Sequence, residues 1–155
     1  MRKSDAAQAV QVLDLLLDFF ADGARWLQGA YTDGDARRCL VGALHYVHRR
    51  YCLPTELAAD LLQQAMPHRS DDLVYFNDSR CRHFADLRSV IIKARGLALE
   101  EGERERSAEA VKRWLLAEIE KERAARATVG DMRETNILCP RTSGETAVAP
   151  LRLAA

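Results

Sequence analysis

Two stretches hold most of the side chains able to do chemistry. "RRCLVGALHYVHRRYCL", residues 37–53, carries Cys39, His45, His48 and Cys52, and "NDSRCRHF", residues 77–84, adds Cys81 and His83. A cysteine beside an imidazole is a nucleophile with its base. Nitrogen and sulfur donors in a tetrahedral array hold zinc. A helix turns by about 100° per residue, so spacing decides which of these side chains can meet. On a helix over 35–52 the core stripe is Leu40, Ala43, Leu44, Val47 and Tyr51, and Cys39 lies at its edge in the first turn. His45, His48 and Cys52 fall at offsets i, i+3 and i+7 and share a different face.

These faces define two candidate sites. In the first, Cys39 and His83 both sit near predicted helix N-termini, where the helix dipole favours a thiolate. Asn77 or Asp78 would orient the imidazole, giving a cysteine-dependent hydrolase or transferase. Against it, cysteine packs like a small hydrophobe, Asp78 is expected as a helix N-cap, and "ARRCLVG" lacks a glycine-rich nucleophile turn. In the second, His45, His48 and Cys52 ligate zinc, with a further ligand from Cys81 or Cys139. The close C-x-x-C pairing of structural zinc modules is absent, and Cys81 and His83, two residues apart, point to opposite sides of a helix. For both sets the competing reading is an ordinary packed or solvated helix.

The elements that position these residues read as helices almost throughout. "SDAAQAVQVLDLLLDFFADG" starts on Ser4 as N-cap and ends near Gly23, with Val10, Leu13, Leu16, Leu17 and Phe20 at helical spacing. "TDGD" signals a turn, and the next helix runs from Asp35, its expected cap, to about Cys52, where Pro54 stops it. "PTELAADLLQQAMP" is a compact helix capped by Thr55, and another is predicted from Ser79, capped by Asp78, to about Glu101. A break is expected at Gly102, then an amphipathic helix from Ser107 to about Thr128 with Val111, Trp114, Leu115 and Ile119 on one side. From 129 onward no period persists and the chain reads as a flexible tail.

The 155 residues carry 23 Lys and Arg against 23 Asp and Glu, a formal charge of +0, which argues against a general polyanion binder. Local basic patches are still possible. Arg37, Arg38, Arg80 and Arg82, with Arg49, Arg50 and Arg88, crowd the central half, and "YFNDSRCRHF" mixes aromatic with basic residues as single-strand nucleic-acid surfaces do. No helix-turn-helix and no phosphate-binding G-x-x-x-x-G-K or G-x-G-x-x-G run is present. No signal-peptide pattern and no bilayer-length apolar run appear, so a cytoplasmic location without membrane contact is expected. Free thiols fit that setting.

"WLQGAY", "CLVGAL" and "YFND" together resemble a family of small bacterial and phage domains of unknown function, with a pattern like W-x-x-G, C-x-x-G-A-L and a later N-D before a helix. The matching residues are Trp26, Gly29, Cys39, Gly42, Ala43, Leu44, Asn77 and Asp78, and the resemblance spans about 5–100. It implies a compact helical domain and supplies no activity.

The expectation is therefore an all-α protein: a helical core of four or five helices over 4–101, a charged hinge and amphipathic helix over 102–128, and a tail over 129–155. The expected function is non-enzymatic binding of another macromolecule, as a regulator or inhibitor. Trp114 and the arginines 37, 38, 80 and 82 are the candidate contacts, with a protein partner or self-association through the 107–128 helix. The cysteine enzyme, a zinc module with zinc as its one cofactor, and nucleic-acid binding are the alternatives.

Overall fold

The computed structural model describes residues 4–34 and 36–134, with side chains through Ala127. The all-α expectation holds: among the described residues there is no strand, and five α-helices and one π-helical turn carry the fold. α1 spans Asp5–Phe20, capped by Ser4, whose hydroxyl accepts the Ala7 amide. α2 spans Leu40–Tyr51, α3 Glu56–Ala65 and the single turn α4 Leu73–Tyr75; a π-helical turn follows at Phe76–Arg80, then α5 at Phe84–Glu134.

α1 is the organising helix. Ala9, Val12, Leu13, Leu16, Phe19 and Phe20 are buried, and α1 packs against both α2 and α3. Leu40, Ala43, Leu44 and Val47 of α2, Leu61 and Leu62 of α3, and Leu87, Ile91, Ala94 and Ala98 of α5 complete one apolar cluster. Each of these rows repeats at three- or four-residue spacing, which places it on one helix face. Arg95 of α5 holds Asp14 of α1 at the cluster's edge, Nε to Oδ1 2.5 Å.

Three boundaries differ from expectation. The second helix does not run from 35: Asp35, its expected cap, lies outside the described residues, and α2 starts at Leu40 with Cys39 extended as N-cap. The chain before it lies flat instead, Arg38 bridging to Trp26 and Thr32. The fifth helix does not start on Asp78. The π turn and an extended Cys81 intervene, and Asp86 takes over the capping by accepting the Arg82 and His83 amides. No break occurs at Gly102. That glycine is buried inside α5, where an added Cβ would stand 3.5 Å from Ala6 of α1, so its small size serves a close helix approach.

The chain divides into two units, Met1–Val111 and Lys112–Ala155. The first contains the whole apolar cluster. The described part of the second is the α5 backbone to Glu134. The expected tail, 129–155, falls outside the described residues from 135 on.

Candidate functional site

Asn77 is the one buried polar side chain in the described part of the core, 0% exposed. The π turn widens the helix by one residue, a device often found at functional positions. Here it carries Asn77, whose Oδ1 accepts both the Trp26 indole N–H at 2.9 Å and the Leu40 amide at 3.2 Å. Its Nδ2 donates to the Leu27 carbonyl and to Asp78 Oδ1. Gln28 closes the knot by donating to the carbonyls of Asn77 and Cys81. Asp78 also accepts the Gly29 amide, and Gly29 sits at φ +76, a conformation that favours glycine.

The loop over 24–39 is fastened at its other end by α2. The Cys39 amide donates to the Tyr31 carbonyl, and a Cβ on Gly42 would overlap that same oxygen. Gly42 is therefore demanded by backbone contact. Cys39 Sγ accepts the Gly42 amide at 3.3 Å and caps α2. Trp26, Gly29, Cys39, Gly42, Asn77 and Asp78, the residues behind the family resemblance, thus belong to one fastening between loop, π turn and α2.

That role leaves little for the thiol–imidazole reading. Cys39 is 4% exposed and already accepts a hydrogen bond. His83, expected on the core side, is exposed, because the late start of α5 turns it outward. No hydrogen bond joins the two, and Asn77 and Asp78 are engaged with the loop. Cys81 is buried as well. Desolvation, and then the nearby Asp86 carboxylate, push its thiol up to about 12, so it stays protonated at neutral pH. Asp86 itself is held below the usual carboxylate range, first by the His83 amide and then by that of Arg82.

The zinc set is not assembled either. Among the described residues no three His, Cys, Asp or Glu side chains stand close enough to share a metal ion. His48 Nδ1 is 2.8 Å from the Leu53 carbonyl, and Cys52 is the exposed left-handed cap of α2 at φ 53. Cys139, the tail ligand considered, lies outside the described residues.

The arginines do not form one surface. Arg37 pairs with Asp33, and Arg80 pairs with Asp71 at 3.0 Å while lying over Tyr75. Arg82 borders a cleft of about 630 Å³ lined by Phe76 and Val90, by Arg80 and Lys93, and by the Asp86 carboxylate. Arg38 belongs to another cleft, of about 460 Å³, along α2, which it lines with Tyr31, His45, Tyr46, Arg49 and Arg50. Sequence reading named Arg49 and Arg50 only as part of a crowd. It missed Gln28 altogether, and no spacing signal points to it.

In the 112–155 unit, Trp114 is 64% exposed, and Leu115, Leu116 and Ile119 are about half exposed. No described helix is long and apolar enough to cross a membrane.

A family model described as a family of unknown function (DUF6197) matches residues 5–97. The chain belongs to that family. The DUF6197 segment takes in α1 to α4, the π turn with its Asn77 fastening, and α5 as far as Leu97, just short of the core residue Ala98. It ends before Trp114. Searches of curated proteins and of solved structures returned no match.

Proposed function

We propose that this chain is a non-enzymatic interaction protein, a regulator or inhibitor that engages a protein partner or a second copy of itself through the 107–128 stretch of α5. The observation that carries the reading is the apolar stripe of Trp114, Leu115 and Ile119, exposed among the described residues. Large exposed apolar side chains that share one helix face are the anchors of helix docking. Burying one stabilises an interface by about 1.5–3 kcal/mol. Charged residues flank the row, and the pairs Glu118–Lys121 and Glu122–Arg126 give it the mixed polar rim of a docking helix. The capping role of Cys39 and the outward position of His83 favour binding over thiol chemistry. A cytoplasmic setting and a bacterial or phage origin belong to the same reading.

The test compares the chain with Trp114→Glu by sedimentation over a range of concentrations and by crosslinking to proteins of its own cell. The expected result is association that disappears in the variant while helical content is unchanged. Identical sedimentation and identical crosslinks for the two would overturn the reading.

A further inference from the structure

The cleft along α2 holds cations without a carboxylate, unlike the cleft where Asp86 stands among Arg80, Arg82 and Lys93. Three arginines, Arg38, Arg49 and Arg50, and one histidine, His45, line it, and among the described residues no carboxylate does. None of the three arginines makes an ion pair with a described residue, whereas Arg37, Arg80, Arg95 and Arg104 all do. Uncompensated cations in a concave site raise the local concentration of anions.

Arg38 adds a second observation. Its Nε is buried and has no hydrogen-bond partner among the described residues. A buried donor left unpaired is costly and calls for an acceptor. The guanidinium lies over the Tyr46 ring, 5.2 Å from its centroid, and that ring rests in turn on Phe19. Stacking holds the planar fork in one orientation, as bidentate recognition of a phosphate requires.

The third observation is aromatic. Tyr31 is 58% exposed at the cleft, yet its backbone is fixed by the Cys39 amide and by close contact with Gly42. A tyrosine with a free ring on an anchored backbone is a stacking platform for a planar base. The volume of about 460 Å³ falls inside the range of roughly 300–1,000 Å³ typical of single-ligand sites.

We infer that this cleft binds a nucleotide, with its phosphates on Arg38, Arg49 and Arg50 and its base against Tyr31. The chain has no glycine-rich phosphate loop, so arginine forks and one phenol ring supply the recognition instead of backbone amides. The nucleotide is either free or one unit of a single strand, and both present the same phosphate and base.

The experiment is fluorescence anisotropy of the full chain with a labelled adenosine triphosphate and, separately, with a labelled single-stranded oligonucleotide. Binding of the mononucleotide assigns the free ligand; binding of the oligonucleotide alone assigns the strand. In either case affinity falls as salt rises. Arg49→Glu and Arg50→Glu, both at exposed positions, weaken Kd by at least about tenfold. Tyr31→Ala weakens nucleotide binding but leaves competition by inorganic triphosphate unchanged. Far-ultraviolet circular dichroism confirms that each variant is folded. Trp114→Glu binds nucleotide like the parent, so this inference and the docking helix fail independently. No binding of either probe, an unchanged Kd in the arginine variants, or displacement by inorganic triphosphate as effective as by unlabelled nucleotide would overturn it.

Discussion

Asn77 shows how much one side chain can decide when it is buried and fully satisfied. It answers two donors and two acceptors drawn from the 24–39 loop, α2 and its own neighbour. Removing it takes this partner from the Trp26 indole, the Leu40 amide and the Leu27 carbonyl, the Leu40 bond being fully buried. Asn77→Ala should therefore cost on the order of 3 kcal/mol, read as a shift of the urea midpoint. A loss well under 1 kcal/mol would mean that water replaces the amide and the fastening is weak. Cys39 and Gly42 act at the same scale. Cys39, the candidate nucleophile, caps α2, and Gly42 gives the Tyr31 carbonyl room, so both seat the loop on α2.

Helix boundaries, at the scale of elements, carried most of the surprises. Starting α2 at Leu40 leaves Arg38 outside the helix to bridge to Trp26 and Thr32, and the π turn delays α5 to Phe84, with His83 exposed before it. These shifts dissolve the proposed thiol–imidazole pair more effectively than any single contact. The end of α2 offers a test. Cys52 occupies a left-handed conformation at φ 53, where a side chain costs roughly 1–2 kcal/mol. Cys52→Gly should raise stability by about 1 kcal/mol in thermal unfolding, because glycine is at ease there. A clear loss of stability instead would revive Cys52 as a ligand or a packing residue.

For the whole molecule, the apolar cluster extends from Ala9 to Ala98 and lies entirely in the Met1–Val111 unit. A chain ending at Val111 should keep cooperative unfolding with a midpoint within a few degrees of the full chain, measured by calorimetry. Loss of the cooperative transition would show that the fold needs 112–155. The legible part of this architecture was the periodic part. Leu13, Leu16 and Phe20, and Leu40, Ala43, Leu44 and Val47 were assigned to core faces from spacing and are buried, whereas Val10 and Leu17 of those stripes are half-buried and Tyr51 is exposed. The candidate site was legible only as a set of residue types. Trp26, Gly29, Cys39, Gly42, Asn77 and Asp78 stood out together, but spacing along the chain says nothing about hydrogen bonds across some fifty residues.

By itself the sequence determined the helical class, the apolar faces, the Ser4 cap, the stop at Pro54 and the exposed row around Trp114. Each follows from local periodicity or local backbone chemistry, which neighbouring residues settle among themselves. Only the tertiary structure decided that Asn77 ties loop to helix, that Gly42 yields to the Tyr31 carbonyl, that Cys39 caps α2, and that Arg38 and Arg82 line separate clefts. Those outcomes depend on which groups share a buried space, and burial forces each polar group to find its partner wherever the fold has put one.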